Sequence, residues 1–186
     1  QKILADPKAD SEAIASAGLR FVYVESEGCT QRSEPEVARL NKTYRALLGQ
    51  MWRDKEEIEH QIGTDDILVV SPYNMQVELL KRKLPDGARV GTVDKFQGQE
   101  AAIVLVSMAT SSGDDLPRNI EFLYSRNRLN VAISRARCLS IIFANPRLLE
   151  IPCNTISQME LVNGLCWAQR FAEAQAEQTL IAGNSG

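Results

Sequence analysis

The spacing of apolar positions changes period several times along this chain, and each change marks an element. The run LRFVYV at 19–24 is short and rich in β-formers, which predicts a strand. Residues 26–33, with Gly28 and Thr30, read as a loop. From Glu34 the period becomes helical. Val37, Leu40, Tyr44, Leu47, Leu48 and Met51 recur at three- and four-residue steps, Pro35 suits a first turn, and Glu36, Arg39, Lys42 and Arg45 fill the other face. The charge-rich WRDKEEIEHQIG reads as a continuation of that helix or a solvated extension, stopped at Gly63. After Asp65-Asp66, the apolar start of ILVVSPYNMQ has the length of a buried parallel strand. Met75, Val77, Leu79, Leu80 and Leu84 then mark an amphipathic helix ended by Pro85-Asp86-Gly87. Two further strands are expected at Val90 to Val93 and Ala102 to Met108, joined by a tight polar turn over 94–100. SSGDDLPR at 111–118 is a loop by composition. In NRLNVAISRARC, Leu129, Val131, Ala132, Ile133 and Ala136 form a helical stripe flanked by Arg126, Arg128, Arg135 and Arg137. A strand at Leu139 to Ala144 and a helix over Asn154 to Glu177, with a frayed tail to Gly186, complete the pattern.

Strands alternating with helices predict an α/β fold, a parallel sheet covered by helices on both faces. The expected domain runs from 19 to 152. Residues 1–18, with Asp6-Pro7 and a run of small residues, read as a linker or arm from a preceding domain, and 153–186 as a C-terminal helix and tail. In such a sheet, ligands bind where strands run out into loops, so the polar turn at 94–100 is expected at that edge.

Composition narrows the classes. A chain of 186 residues, 44% hydrophobic and 24% charged, fits one globular domain. No apolar run approaches the ~20 residues of a membrane span, and no basic-then-apolar leader opens the chain. A net charge of −3 argues against an indiscriminate basic face for nucleic acid while leaving room for a local groove. The four cysteines are widely spaced without a Cys-x-x-Cys, and His60 stands alone, so no metal set is expected. Buried thiols in a reducing compartment follow, and with them a soluble cytoplasmic protein.

The candidate chemistry is concentrated in two stretches. TVDKFQGQE (92–100) holds Asp94, Lys95, Gln97, Gly98, Gln99 and Glu100; at Gly98 the missing side chain permits backbone to approach a ligand closely. NRLNVAISRAR sets several guanidinium groups on one element, which suits a reaction in which negative charge shifts at a phosphate. These two runs resemble motifs V and VI of superfamily 1 helicases. Within that superfamily they are most similar to the group containing the nonsense-mediated-decay RNA helicase and the nuclease-helicases of DNA replication, and the resemblance implies a bacterial parent. SPYNMQ at 71–76 resembles its motif IV. The resemblance spans roughly the middle half to two-thirds of the chain and implies the second RecA-like domain of an ATP-dependent DNA or RNA helicase, with a P-loop NTPase fold.

By that resemblance Arg135 is the arginine finger and Arg128 a second catalytic arginine, or a helix-locking residue. Gln97, Gly98 and Glu100 lie near the nucleotide, and Tyr73 and Gln76 face its base. Ser71, Pro72, Thr92, Asp94 and Lys95 meet single-stranded nucleic acid, although Asp94 and Lys95 fit an internal ion pair equally. Arg137 reads as a solvent or salt-bridge residue. Two positions depart from the pattern. Ala101 follows Glu100 where an acidic residue is common, and Ser134 stands where threonine is also usual.

The phosphate-binding loop G-x-x-x-x-G-K-[ST] does not occur, because there is no Gly-Lys pair, and no Asp-Glu pair is present to hold magnesium. The resemblance therefore implies that ATP with Mg2+ is held mainly by a first RecA-like domain in cis, and that this chain alone is inactive. Any fused nuclease would lie elsewhere in the parent. The alternative is a non-catalytic nucleic-acid- or protein-binding module of the same fold.

Overall fold

The computed structural model describes residues 1–4, 10, 13–96, 98–111, 126–153 and 156–183. In chain order the elements are β1 (Lys2–Leu4), β2 (Gly18–Tyr23), α1 (Glu34–Leu47), β3 (Met51–Arg53), β4 (Glu59–Gln61), β5 (Ile67–Val70), α2 (Asn74–Lys83), β6 (Arg89–Gly91), β7 (Ala101–Ser107), α3 (Arg126–Ser134), β8 (Ala136–Ala144) and α4 (Ile156–Gly183). Among the described residues, five strands form one sheet in the order β2-β8-β7-β5-β6. Every pairing in it is parallel.

The alternation within each strand builds two cores. In β5, Ile67 and Val69 turn to one face with Ile103, Leu105, Leu139 and Ile141, and the apolar sides of α1 and α2 cover them. Leu68 and Val70 turn to the other face with Val104, Val106 and Ile142, beneath α3 and α4. Both faces being covered, β5 and β7 are buried along their whole length, the pattern expected of central parallel strands. Helix α4 also shields the edge strand β2: Gln175 Oε1 accepts from Leu19 N–H at 2.8 Å, and Tyr23 donates its hydroxyl to Glu173 at 2.8 Å. This is an α/β RecA-like fold of P-loop NTPase-related architecture.

Three sequence expectations change. Helix α1 stops at Leu47 rather than reaching Met51, because Gly49 takes a left-handed conformation (φ +82°) and its N–H bonds to Ile62 O at 2.9 Å. As part of the same change, the charge-rich stretch beyond it takes the solvated alternative to helix, in the form of a largely exposed hairpin. Asp54 closes the tip by accepting from the N–H groups of Glu56 and Ile58, both at 2.9 Å, and Arg53 pairs with Glu59 at 2.7 Å. The opening residues, expected as an arm, add a strand: β1 pairs with β3, and β3 with β4, in a three-stranded antiparallel sheet that buries Trp52. Asp10 is gripped by both Nη atoms of Arg39, at 2.6 and 3.0 Å, which ties this segment to α1.

The third change concerns the expected tight turn at 94–100. Strands β6 and β7 run in the same direction with β5 between them, so the nine residues 92–100 cannot form a hairpin. The described residues 92–96 and 98–100 form a strap that returns from the carboxyl edge of the sheet to its amino edge, anchored midway by Phe96, which is 4% exposed. The expected loop at 111–118 lies mostly outside the described residues, as do Gln97 and residues 154–155.

Candidate active site and nucleic-acid interface

The strap divides the candidate residues between two edges, separated by the length of β7. At ~3.3 Å per residue that is roughly 20 Å. The polar residues of 92–100 were expected together at the carboxyl edge; the structure splits them.

At the carboxyl edge, Pro72 follows β5, Thr92 and Asp94 follow β6, and Met108 follows β7. With Val70, Val93, Val106, Asn74 and the α3 residues Leu129 and Ala132 they enclose a cavity of about 190 Å3, apolar in depth and polar at the rim. Lys95 is turned away from it: Nζ donates to Val90 O at 3.0 Å and lies 5.5 Å from the centre of the Phe96 ring. Ser71 is fully buried, its N–H bonded to Gly91 O at 3.2 Å, so it braces β5 against β6 rather than offering a hydroxyl to a ligand.

At the amino edge, Glu100 immediately precedes β7 and is exposed. Arg135 is the single residue between α3 and β8, not a member of the helix as its spacing suggested, and Ala136 already belongs to the strand. Two bonds join these segments. Arg135 O accepts from Ala101 N–H at 3.1 Å, and Arg135 Nη1 donates to Gln99 O at 3.1 Å. Arg135 Nε is buried and, among the described residues, has no partner. Because Nε is buried, only the Nη donors of this partly exposed guanidinium can be presented to an anionic acceptor. Gly98 has φ +77°, and nothing lies within 4 Å of where a Cβ would stand, so the backbone there is open to an approaching group. Arg137 is exposed, in keeping with the expected solvent role, and its guanidinium also lies 5.0 Å from the centre of the buried Trp52 ring, a cation–π contact. Arg128 lies on α3, but its side chain is not among the described ones.

Tyr73 and Gln76, expected to face a nucleotide base, are both buried in this structure. Tyr73 is 7% exposed and packs into the core beneath α3 and α4. Burial raises the pKa of its hydroxyl. Gln76 is fully buried, and its amide is consumed by structure: Oε1 accepts from Ser33 N–H at 2.9 Å, while Nε2 donates to Ser33 O at 3.3 Å and Ser107 Oγ at 2.8 Å. The resemblance of 71–76 to motif IV implied the base-facing role, and in this chain both side chains point inward.

The same network contains residues that sequence reasoning missed. Ser33-Glu34-Pro35-Glu36 has the form of a capping box, in which the glutamate reaches back to the N–H of the capping serine. Ser33 Oγ does accept from Glu36 N–H, at 3.3 Å. Gln76 has taken the return bond, however, and this frees Glu36 to cross to the end of β7. There Glu36 Oε2 accepts from Ser107 Oγ at 2.6 Å and from Ala109 N–H at 2.9 Å. Glu36 is fully buried, and loss of hydration pushes its pKa up to about 7, against the lowering effect of Ser107 and the backbone of Ala109 and Met108. Four buried polar side chains thus clamp α1, α2 and the carboxyl end of β7, setting Met108 at the cavity wall. Replacing Gln76 with alanine strands the N–H and carbonyl of Ser33 and removes the donor to Ser107 Oγ in a dry interior. The expected loss is about 2 kcal/mol of stability, read as a lowered urea midpoint at unchanged slope.

Among the described residues, no group of three or more His, Cys, Asp or Glu is placed to hold a metal ion, and no helix is long and apolar enough to cross a membrane.

Comparison with known proteins gives the geometry a family. Residues 7–147 match the family described as the AAA domain. The chain is 39% identical over 48% of its length to the probable RNA helicase armi of Drosophila melanogaster. It is 33% identical over 58% of its length to the RNA helicase Mov10l1 of Homo sapiens. It is 31% identical over 78% of its length to the DNA polymerase alpha-associated DNA helicase A of Saccharomyces cerevisiae. It covers only 8%, 10% and 22% of those three proteins. With the family match spanning most of its residues, the chain belongs to the AAA domain family, as a superfamily 1 helicase-like domain.

Proposed function

We propose that this chain is the second RecA-like domain of a superfamily 1B helicase of the nonsense-mediated-decay and nuclease-helicase group. Residues 19–152 form the motor domain, 1–18 the segment entering from the preceding domain, and 153–186 a helix and tail packed against it. A bacterial parent is part of this reading, as is a nuclease fused elsewhere in it. The named relatives are RNA helicases and a DNA helicase. Single-stranded nucleic acid of either kind, and a first RecA-like domain in cis, are the proposed partners.

One observation carries the reading: Arg135 is bonded through Gln99 to the segment that presents Gly98 and Glu100. That arrangement fits the outer side of a bound nucleoside triphosphate. Arg135 supplies the positive charge that a phosphoryl-transfer transition state demands, and Glu100 is in place to accept from a ribose hydroxyl or to orient the arginine. ATP with Mg2+ supplies the hydrolysable phosphoanhydride, and the first domain would hold most of it. At the carboxyl edge, Pro72, Thr92 and Asp94 supply a wall, a hydroxyl and a polar rim along which a sugar-phosphate backbone can lie. Domain closure and reopening would then move nucleic acid past that edge.

The purified chain alone should hydrolyse ATP no faster than buffer, because no Gly-Lys phosphate cradle occurs in it. The parent protein should turn over ATP and be stimulated by single-stranded nucleic acid. Measurable turnover by the chain alone, or a parent indifferent to nucleic acid, would overturn the proposal.

A further inference from the structure

We propose that Arg89 is a positioning residue that locks the amino-edge end of the strap, so that occupancy of the carboxyl-edge cavity is relayed to Glu100 and Arg135. This rests on the motor reading above. Arg89 opens β6, the edge strand, and its planar guanidinium is used in two directions. Nη1 donates to Asp65 O, just ahead of β5, and Nη2 donates to Gln99 Oε1, just ahead of β7, both at 2.6 Å. Its central carbon lies 5.9 Å from the centre of the Phe96 ring, the buried midpoint of the strap. Gln99 in turn accepts Arg135 Nη1 on its backbone carbonyl. The amino ends of the neighbouring strands β6, β5, β7 and β8 are therefore stitched in order, with Gln99 held between two guanidiniums.

The location of these bonds argues for orientation over stability. They lie at the exposed rim, where a polar contact adds little to folding free energy. The fork geometry of an arginine nevertheless fixes the direction of what it holds. The strap is nine residues long, with Thr92 and Asp94 at one end and Glu100 at the other. A displacement at Thr92 reaches Glu100 only if the far end cannot relax on its own, and Gln99 is the last residue before Glu100. Releasing Gln99 from Arg89 lets the strap absorb the displacement locally, so the two edges are uncoupled while each stays intact.

The test uses the full-length parent protein and compares ATP turnover with and without single-stranded oligonucleotide. Arg89→Ala should lower the stimulated rate about tenfold, the size of an ordinary coupling between sites, and change the basal rate less than about twofold. Gln99→Ala should lower stimulation similarly, and the double variant should be no worse than either single one, because both break the same bond. Arg89→Lys, which cannot hold both acceptors in a fixed fork, should fall between. Equal losses in basal and stimulated rates, or effects that multiply in the double variant, would overturn the relay and leave the motor reading standing. A wild-type parent without turnover would overturn both.

Discussion

Replacing Arg135 with alanine in the parent protein is expected to lower nucleic-acid-stimulated ATP turnover on the order of a thousandfold, with nucleotide binding largely retained. The size follows from where the residue sits. Arg135 is held by its own backbone to β7 and by one Nη to Gln99, so its guanidinium is positioned before any ligand arrives. A pre-set cation costs no reorganisation when charge shifts at the phosphate, which is why such groups act on the rate more than on affinity. Lysine at this position should rescue little, since it cannot keep the carbonyl of Gln99 and reach an anion with a second directional donor. The checks are steady-state turnover and, separately, equilibrium binding of a non-hydrolysable nucleotide. Unchanged turnover would make Arg135 a residue that merely joins β7 to β8, and the catalytic role would pass to Arg128 or fall away.

The second large effect is on stability and runs with pH. Burial raises the pKa of Glu36 from 4.5 in the unfolded chain to about 7 in the folded one. Between those values the folded state holds a proton that the unfolded state has lost. The contribution of Glu36 is fully present below about pH 4.5 and is lost as pH rises through about 7, a decline of about 3 kcal/mol for a fully buried group. Glu36→Gln removes the titration while keeping one oxygen to accept from Ser107 and Ala109. Urea unfolding of chain and variant at pH 5 and pH 8 checks this: the difference between them should shift toward the variant by about that amount as pH rises. Parallel pH profiles would show that Glu36 is not the group responsible. Glu36 Oε1 lacks a hydrogen bond among the described residues, which is why ionisation is costly despite two good donors on Oε2.

Much of the fold was legible because its signals are local. β5, β7 and α2 follow from runs of apolar residues with the right period and clear stop residues, and their boundaries shift by a residue or so at most. Where two residues compete for one bond, or one short segment has two possible partners, the signal is not local. Asp54 turns a helix-like charged stretch into a hairpin only because β1, almost fifty residues earlier in the chain, is there to pair with β3. Glu36 reads as part of the charged outer face of α1, yet it is fully buried, because Gln76 arrives from α2, takes the Ser33 N–H and leaves Glu36 to reach Ser107.

By itself, the sequence determined the α/β class, the alternation that gives two covered faces and the absence of a Gly-Lys pair, and it offered Arg135, Gly98 and Glu100 as candidates. All of these are written in residue type and spacing within one segment. Only the tertiary structure decided which sheet edge each candidate occupies. The order β2-β8-β7-β5-β6 puts β5 between β6 and β7, so a nine-residue link must cross the sheet instead of turning back. That crossing separates Thr92 from Glu100 and brings the segment of Glu100 beside Arg135, while Tyr73, Gln76 and Ser71 are buried by what packs against them and not by their neighbours in the chain.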